Sequence, residues 1–231
     1  MARQLAMEQP FYGLQAVGVN GESKPLTSIE DMAATYIKAI QTVQPQGPYQ
    51  LGGWCLGGFV AFEMAQQLLS SGQKIKLLAM IQSFISATKL DEAEEVIRFA
   101  RYLTHHFDKE LVVSVDELQQ LGLKDKLNYV FQKILKLLPL EISLERMGQL
   151  FAVFQAAGQV EEIYVPQPYS GQITFFYAEE PPEQLAEKQQ QMQHWSSLAA
   201  GGINIHKIPG DHFSIIPSEA LAKQLGLYLG C

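Results

Sequence analysis

Cysteine is scarce: the 231 residues contain two, Cys55 in mid-chain and Cys231 at the last position. That pair makes a poor disulfide framework, and a reducing cytoplasm is the default expectation. Long apolar runs are also missing. None is longer than Leu77 to Ile81, far short of the ~20 residues that a membrane-spanning helix needs. The opening stretch MARQLAMEQP has neither an apolar core nor a cleavage pattern, so nothing in it points to secretion. Positive charge is thin. Seventeen Lys and Arg face 24 Asp and Glu, a net charge of −7, with no basic cluster. Phosphate affinity depends on concentrated positive charge, so nucleic acid is not an expected partner. There is no internal repeat and no low-complexity tract. The run Lys188-Gln189-Gln190-Gln191 reads as a solvated helix face.

What is present suits a single globular domain, 1–231. Apolar residues make up 47% and charged residues 18%, and a chain of this size can bury one substantial core. Thr27 and Glu30 have capping-box spacing. A helical stripe follows at Ile29, Met32, Ala33, Tyr36, Ile37, Ile40 and Val43 and ends at Pro45, Gly47 and Pro48. Tyr49–Trp54 reads as a short strand that runs directly into a helix with Phe59, Phe62, Met64, Ala65, Leu68 and Leu69 on its apolar positions. Gly72 is placed to end that helix. Ile75–Ile81 is apolar without alternation, as in a strand buried on both faces of a parallel sheet. From about Phe84 to Val165 the pattern is mostly helical, notably at Val96–Leu103, Leu127–Leu138 and Leu144–Val160. A helical block of that length, centred on 84–145, reads as a lid inserted over the C-terminal edge of the sheet. The strand–helix rhythm then returns with Ile173–Tyr177, a helix near Glu183–Leu198, Ile203–Ile208 and a last helix, Ser218–Leu229. The fold class is α/β, a doubly wound and mostly parallel sheet with a helical insertion.

The residues that promise chemistry begin with Gly53-Trp54-Cys55-Leu56-Gly57. This is G-x-C-x-G at a strand-to-helix junction, the setting of a nucleophile elbow. The turn is sharp, so glycines are expected on either side of the nucleophile. The helix N-terminus favours a thiolate at Cys55, and the Leu56 N–H is placed to donate to an oxyanion. A general base is sought among five histidines. His105 and His106 lie in the helical insertion, His194 on the Gln-rich helix and His206 within a strand. His212 follows Pro209-Gly210-Asp211, after the last strand and before the last helix. In α/β hydrolases the catalytic histidine sits on this loop. Asp211 reads as a turn former. A third group should hold the imidazole tautomer. The candidates are Gln82, at the end of Ile75–Ile81, and Glu179 and Glu180, at the end of Ile173–Tyr177.

The stretches Phe11-Tyr12-Gly13-Leu14-Gln15, Gly47–Gly58 and Phe62-Glu63-Met64-Ala65, with the tail Gly210-Asp211-His212-Phe213, resemble the thioesterase domains of nonribosomal peptide and polyketide synthases, α/β hydrolases. The resemblance implies release of an acyl or peptidyl chain from the phosphopantetheine arm of a carrier protein, by hydrolysis or cyclisation. It implies no metal, and no cofactor beyond that arm. Three departures stand out. Most members carry Ser where this chain has Cys55. Many carry Asp where Gln82 stands, 27 residues after Cys55. The family usually opens with a strand and a His-Pro-Gly-Gly-like loop; here Ala2–Glu8 reads as the helix after that loop, so the expectation is a sheet that lacks that first strand. Papain-like enzymes show that a Cys–His pair can be oriented by an amide, so the Gln82 carbonyl is one candidate acceptor for the His212 ring N–H, and Glu179 or Glu180 is the competing assignment. The alternative is a degenerate thioesterase that binds an acyl carrier or a synthase neighbour without turnover.

Overall fold

A computed structural model describes Leu5 and residues 10–84, 90–105, 111–138, 142–179 and 182–230. The chain divides into two compact units, one built from 1–14, 28–85 and 160–231, the other from 15–27 and 86–159.

The first unit carries a sheet of four parallel strands in the order β1-β2-β3-β4. The strands are β1 (Tyr49–Trp54), β2 (Ile75–Ile81), β3 (Ile173–Ala178) and β4 (Ile203–Ile208). The apolar run of β2 does not alternate because both of its faces are buried. Leu77, Ala79 and Ile81 join Phe176, Ala178 and Ile208 in one cluster, closed by Leu221 and Leu225. Leu78 and Met80 point to the opposite face, as strand geometry requires, and are buried as well.

Helices α1 (Ile29–Val43) and α2 (Leu56–Ser70) follow this pattern. The N-cap of α1 is Ser28 rather than the expected Thr27. Ser28 is extended, and its hydroxyl accepts from the Asp31 N–H at 3.1 Å, three residues on as an N-cap bond demands. Helix α2 ends in a Schellman motif. Gly72, at φ +80°, donates to Leu69 O, and Gln73 donates to Leu68 O. Phe59 and Phe62 of α2 pack on Trp195 at centroid distances of 5.4 and 5.0 Å.

The second unit is helical. It holds α3 (Glu92–His105), α4 (Val115–Gln119), α5 (Leu123–Leu137) and most of α6 (Leu144–Ile163). The insertion expected at 84–145 thus belongs to a unit that continues to residue 159 and also takes in 15–27. Helix α4 is short, yet it has a signal: Ser114 and Glu117 form a complete capping box. Phe99, Phe151 and Phe154 lie at the centre of this unit's aromatic packing. The Lys126 ammonium is buried there, donating to Glu92 Oε1 at 2.6 Å and Leu121 O at 2.7 Å. Among the described residues no helix is long and apolar enough to cross a membrane.

The remaining helices of the first unit are α7 (Pro182–Leu198) and α8 (Glu219–Leu229). Ser218 caps α8, accepting from the Leu221 N–H at 3.1 Å.

Candidate active site

All four strands are parallel, so their C-terminal ends lie on one edge of the sheet. Each candidate among the described residues follows one of those ends. Trp54 and Ile81 are register partners, which places Cys55 and Gln82 as the next residues out on neighbouring strands. The Cys55 N–H donates to Ile81 O at 2.9 Å, extending the ladder by one bond. The chain then turns at once into α2, whose first residue is Leu56.

Among the described residues, two non-glycine residues have positive φ: Cys55 at +55° and Gln82 at +49°. L-residues avoid this region, and each instance costs about 1–3 kcal/mol, so it persists only where its surroundings enforce it. The elbow is enforced by close packing. A Cβ on Gly53 would lie 1.9 Å from Gly57 O, and one on Gly58 would lie 1.8 Å from Ser83 Oγ. A Cβ on Gly57 would meet nothing within 4 Å. The glycines that the turn requires are therefore 53 and 58, not 53 and 57 as the motif suggests. Position 57 is already within the helix, where its Cβ would point outward.

Cys55 is half-buried, and its side chain makes no capping bond to the helix. As the first residue of α2, Leu56 has an N–H with no acceptor inside the helix. That donor and the helix dipole favour negative charge beside the sulfur.

His212 stands in the turn after β4. Asp211 builds this turn: its Oδ1 accepts from the N–H of Phe213 and of Ser214 and from Ser214 Oγ, at 2.8 to 2.9 Å. Asp211 is thus a turn former. The Trp54 indole N–H donates to His212 O at 2.9 Å, across 158 positions of chain. The indole and imidazole centroids are 4.8 Å apart. The histidine therefore packs on the residue that immediately precedes Cys55. Trp54 was not singled out in the sequence, because nothing local shows that its indole reaches so far along the chain.

Gln82 is 1% exposed. Its N–H donates to Phe176 O at 2.8 Å, and its Oε1 accepts from the Ala178 N–H at 3.0 Å. The side chain ties the end of β2 to the end of β3. An amide oxygen has two lone pairs, and the Ala178 bond takes one of them.

Glu179 is exposed, and its carboxylate is paired with the Lys207 ammonium on β4. That hydrogen bond holds the Lys207 amine above its ordinary value. Glu180 lies outside the described residues, as do His106 and Cys231. His206 is committed elsewhere, with Nε2 2.7 Å from the Tyr228 hydroxyl and the ring stacked on Phe176. His194 lies on α7, its carbonyl accepting from Ser197 Oγ, and His105 ends α3 in the second unit. Among the described residues, no group of three or more His, Cys, Asp or Glu is arranged to hold a metal ion.

Comparison with known proteins gives this arrangement its context. The profile of the thioesterase-domain family matches residues 1–226. The chain is 48% identical over 87 residues to the polyketide synthase PksR of Bacillus subtilis (strain 168), covering 37% of this chain and 3% of that protein. It is 28% identical over 227 residues to malpibaldin synthetase of Mortierella alpina, covering 96% of this chain and 4% of that one. It therefore spans only a small part of the curated relatives it matches. A crystal structure of a holo four-domain nonribosomal peptide synthetase bound to AMP and glycine superimposes with a TM-score of 0.80. There the identity is 29%, over 91% of this chain and 16% of the larger one. A parallel sheet, an elbow at the end of a strand and a family match over nearly the whole length agree: the chain belongs to the thioesterase-domain family.

Proposed function

We propose that this chain releases an acyl or peptidyl chain from a carrier protein, through an acyl-enzyme on Cys55. The observation that carries the reading is the strained pair at one sheet edge. Cys55 and Gln82 both hold positive φ on adjacent strands, and His212 packs on Trp54 beside them. Strain of this kind persists where the surroundings over-determine it, as at catalytic sites.

In the first step the Cys55 thiolate attacks the carbonyl carbon of the carrier-bound thioester. The Leu56 N–H steadies the oxyanion. The tetrahedral intermediate collapses, the bond to the pantetheine sulfur breaks, and that sulfur takes the proton held by His212. The acyl group is now on Sγ. In the second step His212 removes a proton from water, or from a nucleophile within the acyl chain. Attack on the acyl-enzyme gives the free acid or the ring and returns Cys55 as thiolate. The intermediate is itself a thioester, less stabilised by resonance than the ester that a serine forms, so a weak internal nucleophile competes with water. No metal or bound cofactor enters these steps. The partner is the carrier protein that presents the pantetheine arm.

The imidazole needs an orienting acceptor, and Gln82 is the candidate that the geometry supports. Its side chain lies at the same sheet edge as Cys55, where its Oε1 accepts from the Ala178 N–H. Glu179 is drawn toward Lys207 instead. Gln82→Ala is expected to lower kcat by about 10- to 100-fold, while Glu179→Gln stays within about twofold. Steady-state kinetics on the two variants and on Glu180→Gln measures this. Unchanged turnover in Gln82→Ala ends its role, and a loss confined to one glutamate variant moves the role there.

The function itself is tested with an acyl-pantetheine thioester and intact-mass spectrometry. Release of free thiol, with a transient mass gain of one acyl group on the Cys55 peptide, is the expected result. Carrier binding without adduct or thiol release would instead indicate a thioesterase-like binding module.

A further inference from the structure

We propose that Trp54 is a positioning residue that holds His212 in place beside the elbow, an inference that rests on the Cys55–His212 reading above. Two contacts carry it. The indole N–H binds His212 O at 2.9 Å, which fixes the backbone that bears the imidazole. The indole ring lies 4.8 Å from the imidazole centroid, with the planes inclined by 41°. The two contacts together hold both the backbone and the ring of His212 against the residue that precedes Cys55.

The placement of Trp54 explains why one residue serves both ends of the site. It is the last residue of β1, paired in register with Ile81, so its backbone is fixed by the sheet. The next residue is Cys55, whose backbone is fixed by the elbow. A side chain on Trp54 therefore has a set relation to the sulfur, and whatever it grips inherits that relation. What it grips is a turn with no ladder of its own. Beyond β4 the chain is held by the Asp211–Ser214 hydrogen bonds and by Phe213, whose ring lies 5.9 Å from that of Trp54. The charged groups on this stretch are Asp211, which is occupied by its own turn, and Lys207, which is paired with Glu179.

The test compares the wild-type chain with Trp54→Phe and Trp54→Leu. Phe keeps a ring and loses the N–H; Leu loses both. Iodoacetamide alkylation of Cys55 is followed against pH by peptide mass mapping, so that Cys231 does not contribute. Turnover of an acyl-pantetheine thioester is measured in parallel. In the wild type, alkylation should persist well below the ordinary thiol pKa of about 8.5. In Trp54→Phe, kcat should fall about 10-fold or more with KM little changed, because a misplaced catalytic group costs rate rather than binding. In Trp54→Leu the alkylation inflection should also move up toward the ordinary value. A purely structural role for Trp54 would lower the melting temperature without moving that inflection. Should Trp54→Leu fail to fold, Trp54→Phe decides through kcat against KM. A low wild-type inflection that survives in the variants, with kcat unchanged, overturns the role of Trp54 and leaves the Cys55–His212 pair standing. A wild-type inflection already at the ordinary thiol value overturns the pair itself.

Discussion

Cys55→Ala is expected to lower kcat/KM for an acyl-pantetheine thioester by about 10³-fold or more, and to abolish the acyl adduct. Losing the nucleophile of a site that works as a unit costs nearly the whole chemical acceleration, with only the oxyanion donors and binding left. The substitution removes one sulfur at a half-buried position, so stability should change little. Cys55→Ser sharpens the result. An alcohol is far less acidic than a thiol and depends on full general-base assistance. Here the expected orienting group is the neutral amide of Gln82 rather than a carboxylate. The serine variant should therefore acylate detectably but more slowly than the wild type. Equal turnover in Cys55→Ala and the wild type would remove Cys55 from the mechanism.

The largest stability effects should separate the glycines of the elbow. In Gly53→Ala the new methyl would sit 1.9 Å from Gly57 O and 2.0 Å from Gly57 C. Both obstacles are backbone, and neither yields without moving the first turn of α2. A loss of about 3 kcal/mol or more is expected, or failure to fold. Gly58→Ala meets Ser83 Oγ at 1.8 Å and Ser83 Cβ at 2.7 Å, on a side chain with no exposed surface. This clash has a remedy. Adding Ser83→Gly removes both obstructing atoms, so the double variant should recover much of the loss, a coupling that a double-mutant cycle reads directly. Gly57→Ala, with open space around its Cβ, should be neutral or gain up to about 1 kcal/mol from helix propensity. Urea unfolding of these variants, with Ser83→Gly alone to complete the cycle, gives the comparison. If Gly57→Ala proved as damaging as Gly53→Ala, the packing account of the elbow would fail.

Much of the fold was legible in the residues themselves. The bounds of β1, β2 and β4 follow from apolar runs cut off by Gly, Pro and polar residues. The elbow followed from glycines spaced around a polar residue at a strand end. Other features are only partly legible. Ser28 rather than Thr27 begins α1, and Ser114-x-x-Glu117 announces α4. Both lie in runs where several residues could cap, and local chemistry alone does not rank them. The commitment of Asp211 to its turn is legible in the sequence, because its partners lie only two and three residues away. Glu179 was a fair candidate from its place at a strand end. Its pairing with Lys207 depends on β3 and β4 being neighbours.

The amino-acid order by itself determined which segments become strands and helices, and that a cysteine stands at a strand-to-helix turn. Those outcomes depend on interactions between residues a few positions apart. Tertiary structure decided the rest: that Trp54 grips His212, that Gln82 bridges two strand ends, that Gly58 rather than Gly57 must lack a side chain, and that 15–27 joins the helical unit. Each depends on groups far apart in the chain, whose proximity follows from the order and register of the sheet and from how both units bury their apolar faces.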